Sequence, residues 1–170
     1  MVETISSSND LSKCWQEILK ITEEQGNEAL ASANIRSDLD SIVAQVKNTL
    51  DTQPPSSEIR LLWFGLFDGL RGDKEYAGYY IAGWTGEEQL VEGGPIPYFP
   101  ESRYITSQLL DAVKNEAVRI GRNSPKFCVF DYAVMFGAAA TLSRFAAQSL
   151  GITLPIYVGF DSGDFARIAN

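Results

Sequence analysis

Apolar residues in the first fifty positions recur at helical spacing, whereas those after residue 58 crowd into short runs typical of strands. Leu11, Cys14, Trp15, Ile18 and Leu19 follow the i, i+3, i+4 pattern of one helix face. A cap at Asn9 or Asp10 starts this helix and Gly26 ends it. A second stripe, Leu39, Ile42, Val43, Val46 and Leu50, predicts another helix, with Ser37-Asp38-Leu39-Asp40 resembling a capping box at its start. Asn27–Ile35 either joins this helix or forms its own turn. Gln53-Pro54-Pro55 then stops helical structure, because proline removes a backbone donor and pushes the preceding residue toward extended conformations.

Beyond this break, Ile59–Phe67 is apolar on both parities, the pattern of a strand buried on two sides. Asp68–Asp73 carries turn residues and Tyr76–Trp84 returns as a second strand, so the two predict a hairpin. Glu88–Glu92 reads as a short third strand. The segment Gly93–Pro100, with prolines at 95, 97 and 100, reads as a stiff loop. Ser102 is the expected cap of a helix carrying Ile105, Leu109, Val113, Ala117 and Ile120, ended by Gly121. Lys126–Phe130 reads as a compact strand, Ala133–Leu150 as an alanine-rich helix closed by Gly151, and Leu154–Phe160 as a last strand. Asp161–Asp164 then makes a turn before a short tail. A continuous strand from Phe127 to Phe136 is the competing parse.

Strand, helix and strand over residues 126–160 form the pattern of a βαβ unit with parallel strands. With the hairpin, this predicts an α/β or α+β fold. Two N-terminal helices precede a mixed sheet of four or five strands covered by helices, with Trp63 and Phe130 on adjacent central strands. The expected organisation is a single globular domain over 1–170: a tail over 1–9, a helical layer over 10–52 and a mixed core over 58–170.

Charge and composition narrow the partners. The chain holds 22 acidic against 14 basic residues, a formal net charge of −8. An acidic surface repels phosphate backbones, which argues against nucleic acid. The longest apolar runs fall well short of the roughly 20 residues that span a bilayer, and Met1–Asp10 lacks the basic and apolar regions of a signal peptide. The expectation is a cytoplasmic protein without membrane contact. Cys14 and Cys128 both sit in apolar surroundings and read as buried free thiols.

Histidine is absent. That removes the usual general base near neutral pH and the commonest metal ligand. Two constellations remain. Asp68, Asp131 and Asp161 follow apolar runs ending at Phe67, Phe130 and Phe160, with Asp164 close by. If the three strands run the same way, these carboxylates meet at one sheet edge, where ligands bind in open α/β sheets. Oxygen donors suit Mg²⁺ or Ca²⁺, so this arrangement would serve a divalent-metal-dependent hydrolase or phosphoryl-transfer enzyme. The plainer reading is turn and cap chemistry.

The second constellation is aromatic. Tyr76, Tyr79, Tyr80 and Trp84 share a strand with Gly78 and Gly83, close to a loop carrying Tyr98 and Phe99. Tyrosine and tryptophan are enriched at interfaces, and a stiff loop loses little entropy on binding. Parity separates Tyr79 from Tyr76, Tyr80 and Trp84, so one side of the strand belongs to the core. The leading expectation is a non-enzymatic binding protein with no cofactor. It would use Tyr80, Trp84, Tyr98 and Phe99 to meet a protein partner or a second copy of itself.

Overall fold

A computed structural model describes residues 9–22, 28–92, 95–161 and 163–169. The tail before residue 9, the stop at Gly26 and the glycines 93 and 94 lie outside the described residues. Helix α1 spans Leu11–Lys20, capped by the Asp10 carboxylate accepting from the Lys13 N–H. A short helix, α2, spans Glu28–Ala31. Helix α3 covers Ile35–Thr52 and its cap is Asn34, three residues before the expected start at Ser37. Asp38 is not part of a capping box on its own helix. Its carboxylate accepts from the Ser107 hydroxyl (2.6 Å) and from the N–H groups of Gln108 (2.8 Å) and Leu109 (3.2 Å). It therefore satisfies the open end of a distant helix, α5 (Gln108–Ile120), where a negative charge also favours the dipole.

The sheet has five strands: β1 (Leu61–Arg71), β2 (Lys74–Trp84), β3 (Tyr104–Thr106), β4 (Ile156–Phe160) and β5 (Phe165–Ala169), in the order β3-β2-β1-β4-β5. It is mixed: β1 pairs antiparallel with β2 and parallel with β4, and β4 and β5 are antiparallel. The hairpin is longer than the turn residues at Asp68 suggested. Pairing continues to Arg71 opposite Lys74, and only Gly72-Asp73 turn, with Gly72 at φ 65°. The expected tail after Asp164 is the edge strand β5. Glu88–Glu92 is helix α4, not a strand: the Gln89 side-chain oxygen accepts from both the Thr85 N–H and its hydroxyl, fixing the first turn. Likewise Ser107, not Ser102, caps α5 (Gln108–Ile120), its hydroxyl accepting from the Leu110 N–H.

The largest correction concerns residues 126–130. They are no strand, under either parse, so no βαβ unit spans 126–160 and the parallel partner of β4 is β1. Phe127 and Cys128 open a helix that runs through a π-helical turn, Val129–Val134, into α6 (Met135–Leu150). Ser124-Pro125 starts it, with the Phe127 N–H bonded to the Ser124 carbonyl at 2.9 Å. Phe130 is fully buried but lies on this helix and not beside Trp63 on a strand. Cys14 is buried as expected, whereas Cys128, in the first helical turn, is exposed. Gly151 closes α6 in a left-handed conformation.

Helices α5 and α6 lie on one sheet face, and α1 and α3 lie on α6. That face contributes Leu62, Phe64, Leu66, Tyr79, Ile81 and Val158 to the main core. The other face carries Leu61, Trp63, Ala82, Trp84 and Tyr157, joined at one end by Leu90 of α4 and by Ile96. No described helix is long and apolar enough to cross a membrane.

Candidate functional site

Side chains on a strand alternate faces, so the hairpin register fixes which rings meet on the side away from α5 and α6. Trp63, Gly65, Phe67 and Gly69 of β1 face that side with Tyr76, Gly78, Tyr80 and Trp84 of β2. The register pairs each glycine with an aromatic residue across the hairpin: Gly65 with Tyr80, Gly69 with Tyr76 and Gly78 with Phe67. The rings lie down on the glycines. A Cβ built on Gly65 would come within 2.3 Å of the Tyr80 ring, and one on Gly69 within 2.4 Å of the Tyr76 ring. Trp63 reaches the other way, over Gly159 of β4, at 2.5 Å by the same measure. The strand glycines thus make room for the chain's own aromatics, which shield the backbone of a face that no long helix among the described residues covers.

Where β4 and β5 meet α4, the rings part. A cavity of about 270 Å³ opens there, walled by Trp63, Tyr80, Trp84 and Phe165, with Leu90, Ile96 and Asp161 also lining it. Trp63 meets Trp84 edge to face (centroids 6.0 Å) and Phe165 likewise (5.8 Å), so the walls stand at steep angles to one another. Phe165 is 38% exposed. The Tyr80 hydroxyl donates to Asp161 Oδ1 at 2.6 Å. Burial, reinforced by that bond to a carboxylate, pushes the Tyr80 hydroxyl well above its ordinary pKa. The buried Trp63 indole N–H lies beside the phenol, close enough to oppose that rise, yet makes no hydrogen bond of good geometry.

The four aromatic residues singled out in the sequence separate accordingly. Tyr80 and Trp84 line the cavity. Phe99 is 43% exposed, stacks edge-on against the Tyr80 ring (5.8 Å) and is covered by the Arg103 guanidinium at 4.0 Å. Tyr98 belongs to the main core. Its hydroxyl donates to the Gln53 carbonyl at 2.7 Å, and burial lifts its pKa to about 12. It is an anchor: with the Glu101 N–H donating to the Gln53 side chain, it ties the 95–101 segment to the end of α3. Tyr79, on the helix side, is completely buried.

The aspartates divide into two places. Asp68 and Asp131 do meet, but around an ammonium: Lys114 Nζ of α5 donates to Asp68 Oδ2 (2.6 Å) and Asp131 Oδ1 (2.7 Å), with Glu75 at 3.5 Å. Arg122 completes the chain of charges by a forked pair to Glu75 at 2.8 and 2.9 Å. The Lys114 side chain has no exposed surface. Burial works against its charge, but bonds to Asp131 and Asp68 outweigh it and the pKa is raised. Glu75 is lowered, chiefly by Arg122. The π-helical turn delivers Asp131 to this cluster, its wide loop closed by the Met135 N–H bonding back to the Phe130 carbonyl. Asp161 sits apart, on Tyr80, and the Asp164 carbonyl accepts the Phe160 N–H to close a turn. Among the described residues, no group of three or more His, Cys, Asp or Glu side chains is arranged to hold a metal ion.

Sequence reasoning missed Trp63 and Phe165 as site residues, and missed Lys114. Parity of the hairpin already puts Trp63 on the face of Tyr80. Lys114 follows Val113 on the buried stripe of α5, and a lysine within an apolar stripe signals a carboxylate partner. Phe165 lay in the presumed tail. No family model, curated protein or solved structure matches this chain.

Proposed function

We propose that this chain is a non-enzymatic binding protein that meets a protein partner on the face of its sheet away from α5 and α6. The observation that carries this reading is the cavity walled by Trp63, Tyr80, Trp84 and Phe165 on a face whose only helix among the described residues is the five-residue α4. Rings already ordered by packing on glycines lose little entropy when a partner side chain enters between them. Tryptophan and tyrosine are also the residues that dominate binding energy at such contacts. Phe99 and Ile96 extend the surface, and the Tyr98 anchor holds their segment in place. A different protein suits this face better than a second copy, because two chains of net charge −8 repel each other.

Selection of random peptides against the immobilised protein tests this reading. Selected peptides should bind Trp84→Ala and Phe165→Ala at least roughly ten-fold more weakly than the wild type, as removal of a central ring requires. Because Phe165 is partly exposed on an edge strand, its variant should melt only a few degrees below the wild type and stay folded under the conditions of the binding measurement. Peptides indifferent to both substitutions would overturn the reading, as would failure to select any. Light scattering that shows a dimer broken by the same substitutions would replace the partner with a second copy.

A further inference from the structure

Resting on that reading of the cavity, we infer that the partner side chain it receives is an arginine. The charged residue lining the cavity is Asp161, and no lysine or arginine is among the lining residues. One carboxylate oxygen of Asp161 takes the Tyr80 hydroxyl at 2.6 Å, which holds the group in place. Its second oxygen has no hydrogen bond among the described residues. Nearby arginines are already engaged: Arg167 reaches Glu87 at 3.5 Å, and Arg103 lies over the Phe99 ring. A cation entering the cavity therefore meets a carboxylate that no lysine or arginine among the described residues pairs with, on a chain of net charge −8.

The walls select among cations. A guanidinium is planar, more weakly hydrated than an ammonium, and stacks on aromatic faces while its edge donates to a carboxylate. Trp63, Trp84 and Phe165 supply faces in several planes, and Leu90 and Ile96 supply an apolar side for the three methylenes of the stem. A lysine would reach Asp161 but leave the stacking surfaces unused. An aromatic or aliphatic side chain would fill the cavity and cover the second Asp161 oxygen without offering it a donor, which is unfavourable.

Titration of four probes, followed by NMR on the indole N–H signals of Trp63 and Trp84, tests this. The probes are the N-acetyl, N-methylamide derivatives of arginine, citrulline, lysine and leucine. One side chain should bind with affinity on the order of millimolar. The arginine probe is expected to shift both indole signals saturably, and citrulline, its neutral isostere, to bind roughly ten-fold more weakly. Asp161→Asn should bring arginine to the citrulline level while leaving the melting temperature unchanged. Citrulline or lysine binding as tightly as arginine, or an Asp161→Asn variant that binds arginine unchanged, would overturn the choice of arginine. So would leucine alone shifting the signals, although in each of these cases the cavity remains the binding site. If none of the four shifts them, the reading of the cavity falls too.

Discussion

The two faces of the sheet solve the same problem by different means. Toward α5 and α6, β1 and β2 present Leu62, Phe64, Leu66, Tyr79 and Ile81, branched or bulky side chains that interlock with helices. On the other side the same strands present Trp63, Gly65, Phe67, Gly69, Gly78 and Tyr80, so rings fold flat onto glycines and the chain covers itself. The first arrangement fixes the fold. The second shields the backbone with rings packed on glycines and leaves a hollow where those rings diverge. Substitutions should therefore separate: toward the helices they cost stability, and away from them they cost binding.

The sharpest break in that comparison should come from the helix side. Phe130 has no exposed surface and packs in the main core from the π-helical turn. Phe130→Ala removes that burial and leaves a cavity, a loss of about 3–5 kcal/mol. Thermal or urea unfolding measures it. A melting temperature within a degree or two of wild type would mean that the turn does not pack as described.

Lys114 comes next, and its effect depends on pH. Lys114→Met retains much of the volume but strands Asp68, Asp131 and Glu75 around an apolar group. Losing one partner of a buried pair costs about 3–5 kcal/mol. Because Asp68 and Asp131 are 59% and 27% exposed, water relieves part of this, and about 2–3 kcal/mol is expected. The pH dependence has a definite sign. The Lys114 pKa is raised on folding, so its contribution is complete below the unfolded lysine value and fades as pH climbs through the folded one. Glu75 is lowered, so its share is present above the unfolded glutamate value and fades as pH falls through its depressed one. The wild type should thus lose stability at both extremes, and Lys114→Met should flatten the alkaline limb. An alkaline limb identical in both proteins would show that the ammonium does not carry that stability.

These cases also show what the sequence could reveal. The hairpin, its two-sided burial and the separation of Tyr79 from Tyr80 follow from parity, because a strand's alternation is local and the register needed only one turn. The π-helical turn did not, since Phe127–Phe130 is a short apolar run that suits a strand or a buried helix equally. Ser124-Pro125 was the local signal for the helix. Asp68 and Asp131 meet, but not as the strand ends the sequence suggests. Asp131 lies on the π-helical turn, Asp161 stays apart on Tyr80, and the cation between the two comes from α5, a helix distant in sequence from Asp68. Asp38 likewise looked like a local cap and serves another helix 70 residues on. What escaped was tertiary: which partner a polar group reaches once the chain has folded.

On the ring-covered side, Gly65→Ala is the direct probe of rings packing on glycine. The new Cβ would meet Tyr80 and Trp63 atoms at 2.3–2.4 Å, far inside contact distance. Ring ends can swing outward, so the expected loss is about 1–2 kcal/mol and not more. The larger consequence is local, since Tyr80 must move away from Asp161 and the hydroxyl hydrogen bond is lost. Ultraviolet titration should show one tyrosine ionising closer to its ordinary value. A Tyr80 titration unchanged from wild type would mean that the ring does not rest on Gly65.

The smallest effect on stability, and the most discriminating, is expected at Asp161. Its side chain is exposed and holds the Tyr80 hydroxyl by a single bond. Asp161→Asn keeps an acceptor for that hydroxyl at nearly the same place while removing the charge. Exposed polar exchanges of this kind change stability by roughly 0.5 kcal/mol or less. The Tyr80 hydroxyl should still titrate above its ordinary value, because burial is the larger cause of its rise, but by less than in the wild type once the neighbouring negative charge is gone. The same substitution is expected to weaken binding of a cationic side chain in the cavity. A residue can move binding without moving stability only if the fold does not depend on it, and on the self-covered face this should hold. An Asp161→Asn variant that melts several degrees lower would place Asp161 among the residues that hold the structure together and erase the distinction between the two faces at this point.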